Sequence, residues 1–426
     1  MISAECENGL RTGLDTGVIG CGTAGAAAAI ALARQGHRVT VYEAVADPGP
    51  VGAGITLQPT GMGALARLGL LGPVLSRGAR IDRLRCLTRA GRTVLDLCYA
   101  DYHPRAFGLG LHRGVLFEVL FDAARAQEGV TLRCGVAVER LALERDRRVV
   151  IDRDGERHGP HDLVVVADGA RSQLRDDTRL TRRATPYPWG ALWFIGEDRD
   201  GQFDRELFQR VDGTGHMLGL LPSGLGPRGD APLVSLFWSV RVDAVERWRD
   251  GGLDAWKRQL EALEPASGPL LAQVDDAADV LLAQYWDVVL SPWHAERVVY
   301  LGDAAHATSP QLGQGANLAL VDALALADSL AGAESVHAAL AAYSRTRRHH
   351  LGYYQWATRF LTPFFQSDQR WLGWLRDAFM GIACRTPYVR TRMLRTMCGL
   401  DRGVLLADPL PLPAMPKKLQ ANVRPA

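Results

Sequence analysis

A glycine-rich turn near the N-terminus has the spacing of a nucleotide-binding motif. Gly20, Gly22 and Gly25 form the pattern G-x-G-x-x-G between an apolar run and an alanine-rich run. In such a turn the backbone approaches a pyrophosphate closely, and free N–H groups of the following helix attract its negative charge. Glu43, at the end of the next apolar run, could accept hydrogen bonds from both hydroxyls of a ribose. The expected cofactor contacts here are Gly20, Gly22, Thr23, Ala24, Gly25, Glu43 and Ala44.

A second glycine-rich turn, late in the chain, favours FAD over NAD as the bound dinucleotide. Asp303 could bond a ribityl hydroxyl, while Gly313 and Gly315 leave a loop without side chains against which a planar ring can lie. A helix beginning near Ala316 would point its positive end at that ring, where a reduced flavin carries negative charge and a nicotinamide does not. The alternative for both motifs is a turn with a structural role only. The expected contacts in this turn are Gly302, Asp303, Pro310, Gly313, Gln314, Gly315, Ala316 and Asn317.

The elements that must position these turns alternate between strands and helices. The pattern predicts a strand over Leu14–Ile19, a helix over Thr23–Gln35 and a strand over Arg38–Glu43, which together make a βαβ unit. From about 175 to 290 short β-like runs replace this alternation, and seven of the ten tryptophans lie between 181 and 300, which indicates a mostly antiparallel sheet. The expected fold class is mixed α/β. A Rossmann-like FAD-binding lobe is split in sequence, with an inserted antiparallel β-sheet substrate lobe and a helical C-terminal segment.

The expected domain boundaries follow these changes of pattern. The FAD-binding lobe is predicted to comprise residues 1–75, 106–180 and 291–335. The substrate lobe is predicted to take strands from 76–105 and a β-sheet from 181–290. Residues 336–426 are expected to form a helical segment and a tail.

Composition excludes several classes of function. The formal net charge is +2, which gives no reason to expect nucleic acid or an acidic membrane surface as a partner. The seven cysteines are scattered without a C-x-x-C pair, so no disulfide framework or metal site is expected and a cytoplasmic location fits. No stretch approaches the roughly 20 apolar residues of a spanning helix. Metal-ligand and serine-nucleophile motifs are also lacking, and no catalytic residue can be assigned from the sequence.

Taken together, the motifs resemble those of group A FAD-dependent (flavoprotein) monooxygenases with the p-hydroxybenzoate hydroxylase-like fold. That family carries a G-x-G-x-x-G turn near the N-terminus, a D-G motif in mid-chain and a G-D motif late. The last two match Asp168-Gly169 and Gly302-Asp303, and Arg113 stands where the family has an arginine that contacts FAD. The resemblance spans about residues 14–330. Among the departures, Pro59-Thr60-Gly61 stands where Pro-Asn-Ala is usual.

The resemblance implies a cofactor, a co-substrate and a reaction. FAD would be bound permanently, and NAD(P)H would bind transiently to reduce it, which fits the lack of a second G-x-G-x-x-G. O2 would then be activated as a flavin hydroperoxide that transfers one oxygen atom to an aromatic or polycyclic small molecule. Glu43 would hold the adenosine ribose, Arg113 and Asp303 the phosphate–ribityl region, and Asp168 would lie near FAD and NAD(P)H.

Three other functions remain open. A flavin-dependent dehydrogenase or reductase of the same fold is the first, because reactivity with O2 cannot be read from motifs. A flavin-dependent halogenase needs a W-x-W-x-I-P motif and a lysine in the flavin lobe, but no lysine precedes Lys257. A non-enzymatic flavin-binding protein is the third.

Aromatic residues suggest where the substrate could bind. Trp189, Trp193 and Trp238 are the candidate substrate contacts, because a pocket between two lobes needs apolar walls. The aromatic segment Tyr353–Leu375 is expected to be a lid or a dimer contact; a membrane-surface helix is disfavoured because a dense basic face is missing. The chain is thus expected to be a monomer or homodimer without a membrane partner. The arginines Arg345, Arg347 and Arg348 are expected on a solvated helix face, and His306 is expected to be a packed residue.

Overall fold

The computed structural model describes residues 13–50, 52–227, 229–403 and 409–413. Most of the last 23 residues of the predicted segment 336–426 therefore lie outside the described residues, as do the first twelve residues. The strands are β1 Asp15–Ile19, β2 Arg38–Glu43, β3 Gly54–Leu57, β4 Ala79–Ile81, β5 Arg83–Thr88, β6 Thr93–Cys98, β7 Gly108–His112, β8 Val130–Cys134, β9 Val138–Glu144, β10 Arg147–Asp152, β11 Arg157–His161, β12 Leu163–Val166, β13 Thr181–Glu197, β14 Glu206–Asp212, β15 His216–Leu225, β16 Pro232–Arg241, β17 Leu281–Leu290, β18 His294–Ala295 and β19 Val298–Tyr300. The helices are α1 Thr23–Ala33, α2 Pro59–Arg67, α3 Leu71–Leu75, α4 Arg113–Ala126, α5 Val245–Arg249, α6 Leu253–Leu263, α7 Gly268–Leu271, α8 Asp303–His306, α9 Gly315–Ala331, α10 Val336–Phe365, α11 Arg370–Ala383 and α12 Pro387–Met397.

The first layer is a six-stranded sheet in the order β18-β19-β12-β1-β2-β8. Its strands pair in parallel except for the short β18, and the apolar β1 and β12 lie at its centre. Helix α1 is buried along nearly its whole length, and its alanines let it pack closely against both the sheet and α9. Strands from residues 15–43, 130–166 and 294–300 thus meet in one sheet, which confirms the expected fold class.

The second layer is a seven-stranded sheet in the order β17-β13-β16-β15-β14-β5-β6. All its pairs are antiparallel except β14 with β5. One face is covered by α6 and α7 and holds an apolar core. The other face contacts β3, in the predicted FAD-binding lobe: a Cβ at Gly54 would lie 2.2 Å from the hydroxyl oxygen of Ser235. Residues on this second face can therefore border a site between the lobes.

The C-terminal helices pack against both layers. Ser335 caps α10 by accepting a hydrogen bond from the backbone N–H of Ala338 at 3.1 Å. At the other end of α10, the Gln366 amide nitrogen donates to the carbonyl of Gly190 at 3.1 Å and to the hydroxyl of Ser239 at 3.2 Å. The end of α10 is thereby bonded to the face of the large sheet that lies opposite α6 and α7, which we call its inner face. Within the described residues, no helix has the length and apolar character needed to cross a bilayer.

Candidate active site

The first glycine turn leaves open space where a pyrophosphate would lie. Gly20 has a φ of +90°, and a Cβ there would lie 2.6 Å from the carbonyl oxygen of Ala167. A Cβ at Gly25 would lie 1.9 Å from the carbonyl oxygen of Gly20, so only glycine lets α1 approach the turn this closely. A Cβ at Gly22, by contrast, would meet no described atom within 4 Å. The site is therefore tight on the protein side and open on the side that a cofactor would occupy.

Glu43 is held in position at the end of β2. One carboxylate oxygen accepts a hydrogen bond from the N–H of Cys21 at 2.8 Å, and the other accepts from the N–H of Val45 at 3.0 Å. Each oxygen keeps a second lone pair, so both can still accept hydrogen bonds from the two hydroxyls of a ribose. This geometry fits the predicted role.

Arg113 is an exposed cation at the start of α4. Its stem packs beside Gly52, where a Cβ would lie 3.0 Å from its Cδ. In the described part of the chain, its guanidinium makes no hydrogen bond and no ion pair. An unpaired guanidinium beside a glycine turn fits a phosphate ligand, because arginine binds phosphate oxygens through paired N–H groups.

Asp168 lies at the end of β12, exposed to the cleft but crowded by the protein around it. Desolvation raises the pKa of its carboxyl to about 6, although Ser172 and the charge of Arg175 act in the opposite direction. Arg175 itself is buried and donates to the carbonyls of Ala170 at 2.9 Å and Ala304 at 3.1 Å. The D-G turn is therefore tied directly to α8, which lies within the second glycine-rich turn.

The second glycine turn lies where α1 and α9 meet. Gly302 has a φ of +57°, and a Cβ there would lie 3.0 Å from the Cβ of Ala24 and 3.3 Å from that of Ala319. The next residue, Asp303, is exposed, and its carboxylate lies 3.8 Å from the Cβ position of Gly315. No side chain caps the N-terminus of α9, so its first N–H groups are free for a ligand. Both predicted motifs thus lie side by side, at the point where α1 and α9 meet.

Two predicted contacts, Gln314 and Asn317, use their side chains inside the protein. The Gln314 amide nitrogen donates to the carbonyls of Thr396 at 3.3 Å and Met397 at 2.9 Å. The Asn317 amide nitrogen donates to the carbonyl of Thr56 at 3.2 Å, and its oxygen accepts the N–H of Gln58 at 2.8 Å. These side chains fix the loop, and only their backbones can face a flavin.

The same asparagine explains a departure from the family pattern. In Pro59-Thr60-Gly61, a Cβ on Gly61 would lie 2.1 Å from the amide oxygen of Asn317. The alanine that is usual at this position would therefore displace Asn317 or move α2 away from α9. Glycine allows the closer packing seen here.

A buried carboxylate that the sequence analysis did not identify supports the second turn. Asp322, on α9, accepts hydrogen bonds from the N–H of Gly302 at 3.0 Å and from Nε of Arg347 at 2.7 Å, and it also bonds Nε2 of His306. Burial would raise the pKa of Asp322, but the charges of His306 and Arg347 hold it well below its usual range. His306 is packed, as expected. Arg347 is only 2% exposed, so its prediction as part of a solvated face was wrong.

His350 extends this network and gives the protein a defined response to acid. Its Nδ1 accepts a hydrogen bond from Arg347 at 2.7 Å, and its Nε2 donates to the carbonyl of Gly399 at 2.8 Å. Burial, and then the charge of Arg347, lower the pKa of His350 from 6.5 to about 3. The unfolded chain protonates this histidine below about pH 6.5, whereas the folded protein does not. Its contribution to stability is therefore complete above that pH and is lost as the pH falls toward 3.

The variant His350→Gln tests this response. Between roughly pH 4 and pH 5.5, the free energy of unfolding of the variant should depend less steeply on pH, by one proton or about 1.4 kcal/mol per pH unit. Urea unfolding at several pH values measures the slope. The control His349→Gln changes an exposed neighbour and should leave the slope as in the wild type. Equal slopes in wild type and His350→Gln would contradict the assignment.

The three candidate tryptophans do not share one face of the large sheet. Trp193 pairs across strands with Phe237, on the face that packs against Phe364 and Phe365 of α10, and its ring nitrogen donates to the Tyr285 hydroxyl at 3.2 Å. Trp189 lies on β13 and is buried. Trp238 pairs with Leu192 and packs on the opposite face in the core under α6, so a substrate role for Trp238 is not supported.

A chain of hydrogen bonds that the sequence analysis missed links Gln311 to the large sheet. The Gln311 amide nitrogen, in the loop after Pro310, donates to the amide oxygen of Gln366 at 3.0 Å. Gln366 in turn donates to Gly190 and Ser239 of the large sheet. The predicted flavin loop is thus bonded to the predicted substrate sheet. The sequence could not reveal this link, because it depends on the register of β13 and β16, which brings Gly190 close to Ser239.

Comparison with known proteins agrees with this geometry. A family model described as "FAD binding domain" matches residues 13–352. The aurachin C monooxygenase/isomerase of Stigmatella aurantiaca is 28% identical, covering 91% of this chain and 95% of that protein. The kynurenine 3-monooxygenase of Salinispora arenicola is 30% identical over 78% of this chain and 76% of its own length.

Among solved structures, Klebsiella pneumoniae HpxO complexed with FAD and uric acid has a TM-score of 0.77 at 23% identity. The match covers 91% of this chain and 98% of that one, and at this identity it speaks for the fold. These matches confirm the resemblance inferred from the motifs, and FAD as the cofactor. The chain therefore belongs to the FAD binding domain family, with the p-hydroxybenzoate hydroxylase-like fold that its motifs predicted.

Proposed function

We propose that this protein is a monooxygenase that uses FAD, NAD(P)H and O2 to insert one oxygen atom into a small aromatic molecule. The observation that carries the proposal is that the two glycine turns meet: Gly302 lies against Ala24, beside the open space at Gly22 and the uncapped start of α9. The relatives that span most of this chain are named monooxygenases, which supports the same reaction. When bound, FAD supplies the redox chemistry and the activation of O2.

The residues of this chain bind, orient and shield the reacting groups. Glu43 and Arg113 hold the ribose and phosphate, because one offers paired acceptors and the other an unpaired cation. The free N–H groups at Gly315 and Ala316 stabilise negative charge at the edge of the ring. Gln311 and Gln366 hold the ring loop against the large sheet and help to exclude water from the cleft.

We further propose that the substrate binds against the inner face of the large sheet. Trp193 and Phe237 lie there with ring centroids 4.9 Å apart, and Trp193 is only partly buried. An apolar wall beside the hydroxyl of Ser239 and the amide of Gln366 suits an aromatic ring with polar substituents.

The experiment uses the purified holoenzyme with NADH or NADPH. Kynurenine, aurachin C and uric acid serve as first probes, because the similar proteins are named for them or bind them. A probe that accelerates NAD(P)H oxidation and gains one oxygen atom by mass supports the proposal. Turnover with an artificial electron acceptor but no reaction with O2 would instead establish the dehydrogenase.

The variant Trp193→Phe tests the proposed substrate wall. Loss of ring area and of the Tyr285 hydrogen bond should raise KM for the accepted substrate roughly tenfold and increase the fraction of NAD(P)H lost to hydrogen peroxide. Steady-state kinetics with peroxide detection measures both. The control Trp238→Phe alters the opposite face of the sheet, so it should leave KM and coupling unchanged. A changed KM in the control alone would place the substrate elsewhere.

A further inference from the structure

The exposed apolar side chains of this protein are concentrated on its C-terminal helices. Of ten large hydrophobic residues that are exposed in the described chain, seven lie between Trp356 and Tyr388, on α10, α11 and α12. They are Trp356, Phe360, Trp371, Trp374, Phe379, Ile382 and Tyr388. A concentration of this kind on a monomer marks a surface that binds a partner.

Helix α11 carries its apolar residues on the outside. The apolar side chains that are exposed or half-exposed follow helical spacing: Trp371, Trp374, Leu375, Ala378, Phe379 and Ile382. The charged residues of this helix are the exposed Arg370 at its start, the half-buried Asp377 and the buried Arg376. Trp371 and Trp374 are 63% and 71% exposed. The opposite face buries Leu372 and Gly373, the reverse of the usual pattern for a surface helix. We call the exposed face, together with Trp356 and Phe360 of α10, the outer apolar surface.

The outward direction of this face is fixed by contacts on the inner side. The buried Arg376 donates to the carbonyls of Gly213 at 3.0 Å and Phe364 at 2.8 Å. A Cβ at Gly373 would lie 3.2 Å from the backbone of Gly213, so α11 is seated closely against that turn. The helix cannot rotate its tryptophans inward without breaking these bonds.

The charges at the ends of α11 indicate which partner fits. Arg370 and Arg385 are exposed and make no ion pair within the described ranges, while Asp377 is bonded to Arg376. In a two-fold pairing of two α11 helices, Arg370 would approach either itself or Arg385 of the other copy. Like charges would then meet at both ends of the contact. A surface that carries negative charge avoids this repulsion.

We propose that the outer apolar surface binds the interfacial region of a phospholipid bilayer that contains anionic headgroups. Tryptophan and phenylalanine enter the boundary between headgroups and acyl chains, while arginines at the rim meet the phosphates. This mode needs no spanning helix. This proposal revises the expectation of a lid or dimer contact, which was based on the lack of a dense basic face. Here the outer apolar surface supplies most of the binding, and two arginines supply the preference for anionic headgroups.

The surface also connects with the interior of the protein. The rings of Trp356 and Phe360 are stacked with centroids 5.5 Å apart, and Phe360 contacts Phe364 at 5.6 Å. Phe364 packs against the cluster that includes Phe237, on the inner face of the large sheet. The described tail leaves in another direction, since Pro413 packs on Gly63 of α2.

Flotation of the FAD-loaded protein with vesicles tests the proposal. Vesicles of phosphatidylcholine alone are compared with vesicles of phosphatidylcholine and phosphatidylglycerol. The wild type should bind both and prefer the anionic ones. The double variant W371Q/W374Q should bind at least roughly tenfold more weakly to both. R370Q/R385Q should lose roughly fivefold per arginine on the anionic vesicles only.

The control L143Q/L281Q removes two exposed leucines outside the surface and should bind vesicles as the wild type does. FAD content and melting temperature establish that each variant is folded. No flotation of the wild type, or unchanged flotation of W371Q/W374Q, overturns the proposal. A wild-type dimer in analytical ultracentrifugation that W371Q/W374Q dissociates, without vesicle binding, would assign the surface to a second copy.

Discussion

The variant Gly22→Asp is expected to lose FAD while its apoprotein becomes slightly more stable. Gly22 is the N-cap of α1, has extended backbone angles and faces open space, so an aspartate fits without strain. Its carboxylate can accept the free N–H groups of the first turn, which stabilises the helix by a few tenths of a kcal/mol relative to glycine. The same carboxylate occupies the position of the pyrophosphate and repels it. We expect the Kd for FAD to rise at least roughly 100-fold, or about 3 kcal/mol.

Titration of the apoprotein with FAD gives the Kd, and thermal unfolding with and without FAD gives the stability of each form. The matched control is Gly352→Asp, since a Cβ at Gly352 on α10 also meets nothing within 4 Å. It should bind FAD as the wild type does. Wild-type affinity in Gly22→Asp would show that the first glycine turn is not the pyrophosphate site.

The variant Asp322→Asn is expected to lose about 3–5 kcal/mol of unfolding free energy. The substitution leaves the buried guanidinium of Arg347 without its counter-charge and points an amide at the N–H of Gly302. The pKa of Asp322 is lower in the folded protein than in the unfolded chain. The contribution of its ionised carboxylate to the free energy of unfolding is therefore present above the unfolded pKa of about 3.9, and it is lost as the pH falls through the folded pKa. The loss on substitution should therefore be full at neutral pH. Urea unfolding of both proteins measures it.

Asp328→Asn, on the same helix, is the control for Asp322→Asn. Asp328 pairs with Arg67 at 2.6 Å, but both side chains are more than half exposed, so the change should cost at most about 1 kcal/mol. Similar losses of unfolding free energy in the two variants would mean that the surrounding residues rearrange to compensate for the missing carboxylate of Asp322. A weakened affinity for FAD in Asp322→Asn alone would show that the network also positions Asp303.

The motifs that place a backbone near a cofactor could be predicted from the sequence, because glycine spacing and strand ends are local. β2 has the predicted bounds, and α1 ends at Ala33 because Gly36, with a φ of +84°, turns the chain. β13 is a single strand of 17 residues where the pattern indicated only short runs, since Pro186 and Pro188 obscure the alternation.

The supporting contacts could not be predicted, because they join residues far apart in sequence. Asp322 lies inside an apolar helical pattern, and nothing local shows that Gly302 and Arg347 converge on it. The face on which Trp238 lies depends on the register with β13, which a single strand does not reveal. The outer position of the α11 stripe depends on what packs beneath the helix. The roles of the individual site residues remain predictions.

The strand order of the six-stranded sheet has a consequence for synthesis. β1 is synthesised first, whereas β19, which lies two strands away in the sheet beyond β12, is synthesised much later. The second glycine-rich turn and α9 follow β19, so they form only after residue 300 has been synthesised. A nascent chain released from the ribosome before that point lacks half of the flavin cradle. FAD can therefore be captured only by chains that extend beyond α9, and retention of the yellow cofactor separates these molecules from shorter truncated ones.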